Sequence, residues 1–232
     1  MAIPAETRSS EHLLGYGSYH VAALKADPES AHLTASVEQL IGALRTAFAA
    51  REAAEQAELE AFARYNRADF ELDEACRICE IEVLAAVGKD RAHADYRAAF
   101  PKSLSALVAD RGRSQADKVK ALAAELHKRL PDLGERHAAK LETLAAAMID
   151  AEDKLRAAQL KTSTSRNDER IARSELVRQL HRNRGGLRIL YPRNRRRVAS
   201  FFPPVYSRVA TEVVDDDGGE TEEGEAGTLA VG

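Results

Sequence analysis

Gly and Pro are both missing from residues 43–87 and again from 135–184, and nothing else in the sequence constrains the fold so tightly. Pro removes a backbone donor and clashes with the preceding turn, while Gly gives up the most conformational freedom on ordering, so these two residues supply most helix interruptions. Their absence predicts two long helices, each about 70 Å if continuous at about 1.5 Å of rise per residue. The prolines stand only at 4, 28, 101, 131, 192, 203 and 204.

The first long helix is expected over about 28–88. Asp27 is placed to cap it and Pro28 to occupy its first turn. Val37, Leu40, Leu44, Phe48, Leu59, Phe62, Cys76, Cys79, Val83 and Val87 recur at helical spacing and predict its apolar stripe. The second is expected over about 135–184, with Leu141, Leu144, Met148, Leu155, Ala158, Ile171, Leu176 and Leu180 as its stripe. Both stripes weaken centrally, at 65–69 and at 161–168. There Asn66, Asp69, Thr162, Ser165, Asn167 and Asp168 either form a polar layer that sets register or face solvent, and Ser165 with Asp168 offers the cap of a fresh helix after a break.

A shorter helix is expected over about 114–130, with Val119, Leu122, Leu126 and Leu130 on one face, Ser114 and Asp117 in a capping arrangement, and Pro131 at its end. Residues 96–108 read as a connector with a few helical turns, and 11–25 as a short helix weakened by Gly15 and Gly17. A faint internal duplication pairs Ala47–Ala57 and Arg97-Ala-Ala-Phe-Pro101 with Ala147–Ala157 and Arg188-Ile-Leu-Tyr-Pro192.

Charged residues make up 31% of the chain and aromatics 5%, a mixture that favours helices over sheets. The fold class expected is therefore all-α: an elongated antiparallel bundle or coiled coil of two long helices with shorter covering helices. Three regions are expected, an N-terminal segment at 1–27, the bundle at 28–208, and a disordered acidic tail at 209–232. That tail holds eight acidic residues, five Gly and no Lys or Arg, and it is a candidate to fold back on the basic segment before it. The N-terminus lacks the charged and apolar runs of a secretion signal, and no stretch approaches the roughly 20 apolar residues of a membrane span. A cytoplasmic location is expected.

The chemistry-bearing patterns are incomplete. Cys76-Arg-Ile-Cys79 has the spacing of a redox pair or half a zinc site, but it lies inside a helical pattern and has no second pair, so buried structural cysteines are expected. Glu29-Ser-Ala-His32 supplies one half of the paired motif that a di-iron bundle requires. No phosphate loop, dinucleotide fingerprint or nucleophile elbow is present. No catalytic residue, cofactor or metal is expected, and no small-molecule substrate is evident.

The leading candidate is the segment 181–208, which holds eight Arg and no acidic residue. Arg182, Arg184, Arg188, Tyr191, Arg193, Arg195, Arg196, Arg197, Phe201 and Phe202 are its candidate interaction residues. Three readings stand side by side: the apolar members pack on the rod and leave the arginines in water, the arginines pair with phosphates while the aromatics stack on bases, or the arginines dock an acidic protein. The sequence thus points to a non-enzymatic structural or protein-interaction protein that scaffolds or self-associates, with nucleic-acid binding through 182–197 as the alternative.

Overall fold

The computed structural model describes residues 3–204. The tail at 209–232, together with 205–208 of the basic segment, lies outside the described residues. The helices are α1 (Ser10–Lys25), α2 (Thr34–Ala86), α3 (Ala94–Ala99), α4 (Leu104–Val108), α5 (Gly112–Arg129), α6 (Pro131–Leu190) and α7 (Arg195–Ser200), with a 3-10 turn at Ala31–Leu33 before α2. No strand occurs among the described residues. The two long helices, α2 of 53 residues and α6 of 60, pack against each other as the axis of the molecule. At about 1.5 Å per residue they measure about 80 and 90 Å.

Both rods run unbroken through their polar midpoints. Residues 65–69 and 161–168 are helical throughout, so Ser165 caps nothing; it is buried instead, beside the equally buried Thr162. Thr162 donates its hydroxyl to the carbonyl of Ala54 across the pair at 3.1 Å. Glu55 receives Arg166 at 3.0 Å, and the buried Glu169 receives both Arg51 at 2.6 Å and the hydroxyl of Ser10. Asp69 is buried too, whereas Asn66, Asn167 and Asp168 face solvent. A polar layer therefore forms around Thr162 and Ser165 opposite Ala54, while Asp69 stands apart from it and pairs with Arg111 at 3.5 Å.

The ends of the elements shift for identifiable reasons. Asp27 does not cap α2, which begins at Thr34; its carboxylate accepts the backbone N–H of Glu29 at 3.2 Å and the phenol of Tyr191 at 2.6 Å, so residues 26–33 form a turn. α5 begins at Gly112, two residues before Ser114, whose hydroxyl bonds Asp110 and caps nothing. α6 begins at Pro131, because a proline without an N–H suits a first helical position. It also runs past Gly185 and Gly186 to Leu190. The fully buried Leu187 anchors that last turn and outweighs the roughly 1 kcal/mol that each Gly costs a helix.

Three helices end on a residue that precedes a proline. Phe100 (φ −123°, ψ 76°), Leu130 (φ −133°, ψ 67°) and Tyr191 (φ −126°, ψ 61°) share one conformation, since the following ring excludes the helical region. The two aromatic-Pro stops of the suspected duplication match in this geometry, but the first closes the six-residue α3 and the second closes the long α6.

Two separate hydrophobic cores result. At one end α3, α4 and α5 cover the C-terminal part of α2 and the N-terminal part of α6, enclosing Leu72, Cys76, Cys79, Val83, Phe100, Val119, Leu126, Leu141 and Met148. At the other, α1 and α7 cover the opposite rod ends, enclosing Leu13, Leu24, Val37, Leu44, Leu176, Leu180, Leu187 and Phe202. The waist between them buries chiefly small side chains, Ala54, Ala61 and Ala151, beside its polar groups. Leu59 and Phe62, expected on the buried stripe, are 64% and 51% exposed there, and Ile171 also lies on the surface. In the waist the contact is made by alanines one or two positions away in helical phase, because small residues let the two axes approach.

At two of the described glycines a Cβ would come within 3.0 Å of a neighbour. A Cβ on Gly134 would sit 2.7 Å from the Cα of His127, where the α5–α6 hairpin closes. Gly112 has φ +64°, and a Cβ there would meet the Glu152 carboxylate that accepts the Arg113 amide at 2.6 Å.

Candidate interaction site at the arginine-rich end

The ten candidate residues divide into a scaffold and a surface. Tyr191, Phe201 and Phe202 are buried. The Tyr191 ring stacks on Phe201 at 5.9 Å between centroids, and Phe202 stacks on His20 at 4.4 Å. Arg197 lies over the Tyr191 ring at 4.0 Å and pairs with Asp27 at 3.1 Å, with Glu29 at 3.9 Å. Tyr191 and Arg197 tie this end to the turn before α2, while Phe202 packs it onto α1. The Asp27 carboxyl stays below its ordinary range, first because the Tyr191 phenol bonds it and then because of Arg197.

His20 completes the wall from beneath. It is fully buried, with Nδ1 2.7 Å from the carbonyl of Phe201 and Nε2 3.1 Å from the side-chain amide nitrogen of Asn183. A neutral ring that donates from Nδ1 and accepts at Nε2 satisfies both contacts. Burial keeps its pKa below the usual 6.5, against the smaller opposing effect of the Phe201 carbonyl. No sequence pattern pointed to His20, since a lone histidine in a helix has no periodic signature.

The other six arginines form the surface. Arg182, Arg188, Arg193, Arg195 and Arg196 are exposed and Arg184 is half-buried. The ends of α6 and α7 converge on a groove of about 580 Å³ lined by Arg184, Arg188 and Arg195, with Tyr191, Pro192 and Val198 among its walls. Among the described residues, none of the three groove arginines has a carboxylate within ion-pair distance, although Arg184 approaches the ring of His181 at 3.3 Å. Arg182, Arg193 and Arg196 stand outside the groove lining. Beside them Ile189 is 82% exposed.

The packing reading describes the aromatic members, and Arg197 joins them through Asp27. The apolar members pack, the arginines remain in water, and three of those arginines face one concavity. Base stacking is not available to Tyr191, Phe201 or Phe202, because their rings are already enclosed.

A second groove, about 550 Å³, lies in the opposite bundle between the α3–α4 connector and α5. Phe100, Leu107 and Leu122 floor it, and Lys102, Lys118 and Arg129 stand around it. Lys118 is paired with Asp110, and Arg129 with Glu125 at 2.9 Å.

The two cysteines lie deep in the first core as free thiols, and burial pushes both up to about 12. A thiol held in that range is a poor source of the nucleophilic thiolate. Glu29 and His32 are exposed on the turn before α2, with Glu29 facing Arg197. Among the described residues no group of three or more metal-ligating side chains is assembled. No described helix is long and apolar enough to cross a membrane.

The fold and this site define a class: a two-ended helical rod with a cationic groove at one end. Compared with protein-family models, curated proteins and solved structures, the chain finds no significant match in any of the three.

Proposed function

We propose that this chain is a non-enzymatic structural and interaction protein, a rigid helical spacer that docks an anionic partner at its arginine-rich end. The observation that supports this reading is the groove at the junction of α6 and α7, where Arg184, Arg188 and Arg195 converge with no carboxylate of the described residues within ion-pair distance. Like charges held together cost free energy unless a counter-charge arrives, and a fixed concave surface concentrates that attraction. The neighbouring Tyr191, Arg197, Phe201 and Phe202 serve to hold the wall still. Continuous long helices then fix how far this surface stands from the other bundle.

The reading is tested with the full chain immobilised and challenged with a cell extract at low and high salt. A partner retained at low salt, released at high salt and lost by Arg184→Gln/Arg188→Gln/Arg195→Gln supports it. Retention unchanged by that triple variant overturns it. Sedimentation over a wide concentration range tests the scaffold's self-association separately, and a monomer at every concentration removes that element.

A further inference from the structure

Resting on the docking reading above, we infer that the Arg184, Arg188 and Arg195 groove is a binding site for a compact run of phosphates, recognised by charge and phosphate geometry without base contacts.

Three features of the groove point to phosphate in particular. Arginine offers five donors in a planar fork that grips phosphate bidentately, and here the three cations are all arginines. Arg184 and Arg188 are one turn apart on α6, so they share a face, while Arg195 comes from α7 across the gap. All three residues thus line a single groove of about 580 Å³. Carboxylates bring one charge each, so matching three cations takes three separately positioned acidic side chains. Two or three linked phosphates supply the same charge or more within a small volume, and their oxygens fit forks approaching from two helices.

The surroundings exclude the other common way of holding phosphorylated polymers. Single strands are gripped by aromatic platforms on which bases stack. In this groove Tyr191 is 7% exposed, covered on one face by Arg197 and on another by Phe201. Phe201 and Phe202 are likewise enclosed. The remaining walls, Pro192, Val198 and Ala199, add no donor or acceptor side chain, so a base edge would have to compete with phosphate for the same three arginines. The ligand's recognised part is therefore the phosphate run itself, whether it is free polyphosphate or the backbone of a nucleic acid.

The test measures binding of the full chain, at about 0.15 M salt where charges more than about 8 Å away are largely screened, to sodium tripolyphosphate, to penta-glutamate at matched total charge, and to a short DNA duplex. Tripolyphosphate is expected to bind at least about tenfold more tightly than penta-glutamate, since its charge is confined to a volume that one groove can surround whereas penta-glutamate must order five flexible side chains to present the same charge. Arg184→Gln/Arg188→Gln/Arg195→Gln is expected to weaken tripolyphosphate by about tenfold or more, whereas Arg182→Gln/Arg193→Gln/Arg196→Gln, outside the groove, changes it by less than about threefold. None of these six residues forms an ion pair with a described carboxylate, and circular dichroism of both variants verifies the fold. Equal affinity for tripolyphosphate and penta-glutamate would sink the phosphate inference and leave anionic docking standing. Binding of neither anion would remove both. Duplex binding abolished equally by the groove and the outer variants would also overturn the groove, because the contact would then be spread over the whole basic surface.

Discussion

Replacing Leu180 by Ala removes a fully buried side chain from the core at the α1–α7 end, and replacing Leu126 does the same at the α3–α5 end. A buried Leu→Ala change costs about 2–5 kcal/mol through lost burial and the cavity left behind. What the structure adds is where that cost is felt. The waist joining the two cores buries Ala54, Ala61 and Ala151, and at about 0.8 kcal/mol per methyl-sized group these contribute about 2 kcal/mol in all. So thin a joint should couple the ends weakly, and opening of one core should leave the other closed. Cys76 and Cys79 report on one end only, because both are sealed in the α3–α5 core and unreactive while it stays closed. Leu126→Ala should therefore raise the rate at which an aromatic disulfide reagent labels these thiols by about thirtyfold or more, taking tenfold for each 1.4 kcal/mol. Leu180→Ala should leave that rate within about threefold of wild type, even though its cavity cost is comparable. Labelling accelerated alike by both variants would show that the molecule opens as one cooperative unit, and the two-core reasoning would fail.

Gly134→Ala should lower stability by about 1–3 kcal/mol in chemical denaturation, because its Cβ meets the backbone of His127 and must push the α5–α6 hairpin apart; an unchanged midpoint would refute that contact. His20 carries a pH prediction. Its folded pKa lies below 6.5, so the unfolded chain takes up the proton first and stability is lost as pH falls below about 6.5. Melting temperatures at pH 7.5 and 5.5 should show that loss in wild type and a smaller one in His20→Gln; equal slopes would exclude His20. Asp69 works in the opposite direction. Burial raises its carboxyl, Arg111 opposing, so its charged form is disfavoured in the fold above the ordinary carboxylate range. Asp69→Asn should raise the melting temperature at pH 7 and lose that advantage below about pH 4; a lower melting temperature at pH 7 would mean that the Arg111 ion pair outweighs desolvation.

The long helices and the middle helix were legible because helix breakers and apolar spacing act locally, and a local rule leaves its mark in consecutive residues. Pre-proline stops at Phe100, Leu130 and Tyr191 follow from the sequence for the same reason. Periodicity misplaced Leu59 and Phe62, since a stripe shows which residues share a face but not how close the partner helix comes. The candidate site was legible as a charged segment and nothing finer. Arg197 and Arg195 are two residues apart in a run of three arginines, yet one is tied to Asp27 and the other lines the groove. That division depends on Asp27 and Glu29, some 170 positions away.

By itself the sequence determined that the chain is helical, where its rods run and which segment bears the positive charge, because each of these is decided by backbone preference and composition within a few turns. Only the tertiary structure decided that the core is split in two, that His20 is sealed beneath Phe202, and that three particular arginines share one groove. Those outcomes rest on contacts between distant segments, whose free energy depends on approach distance and burial, quantities that no local pattern encodes.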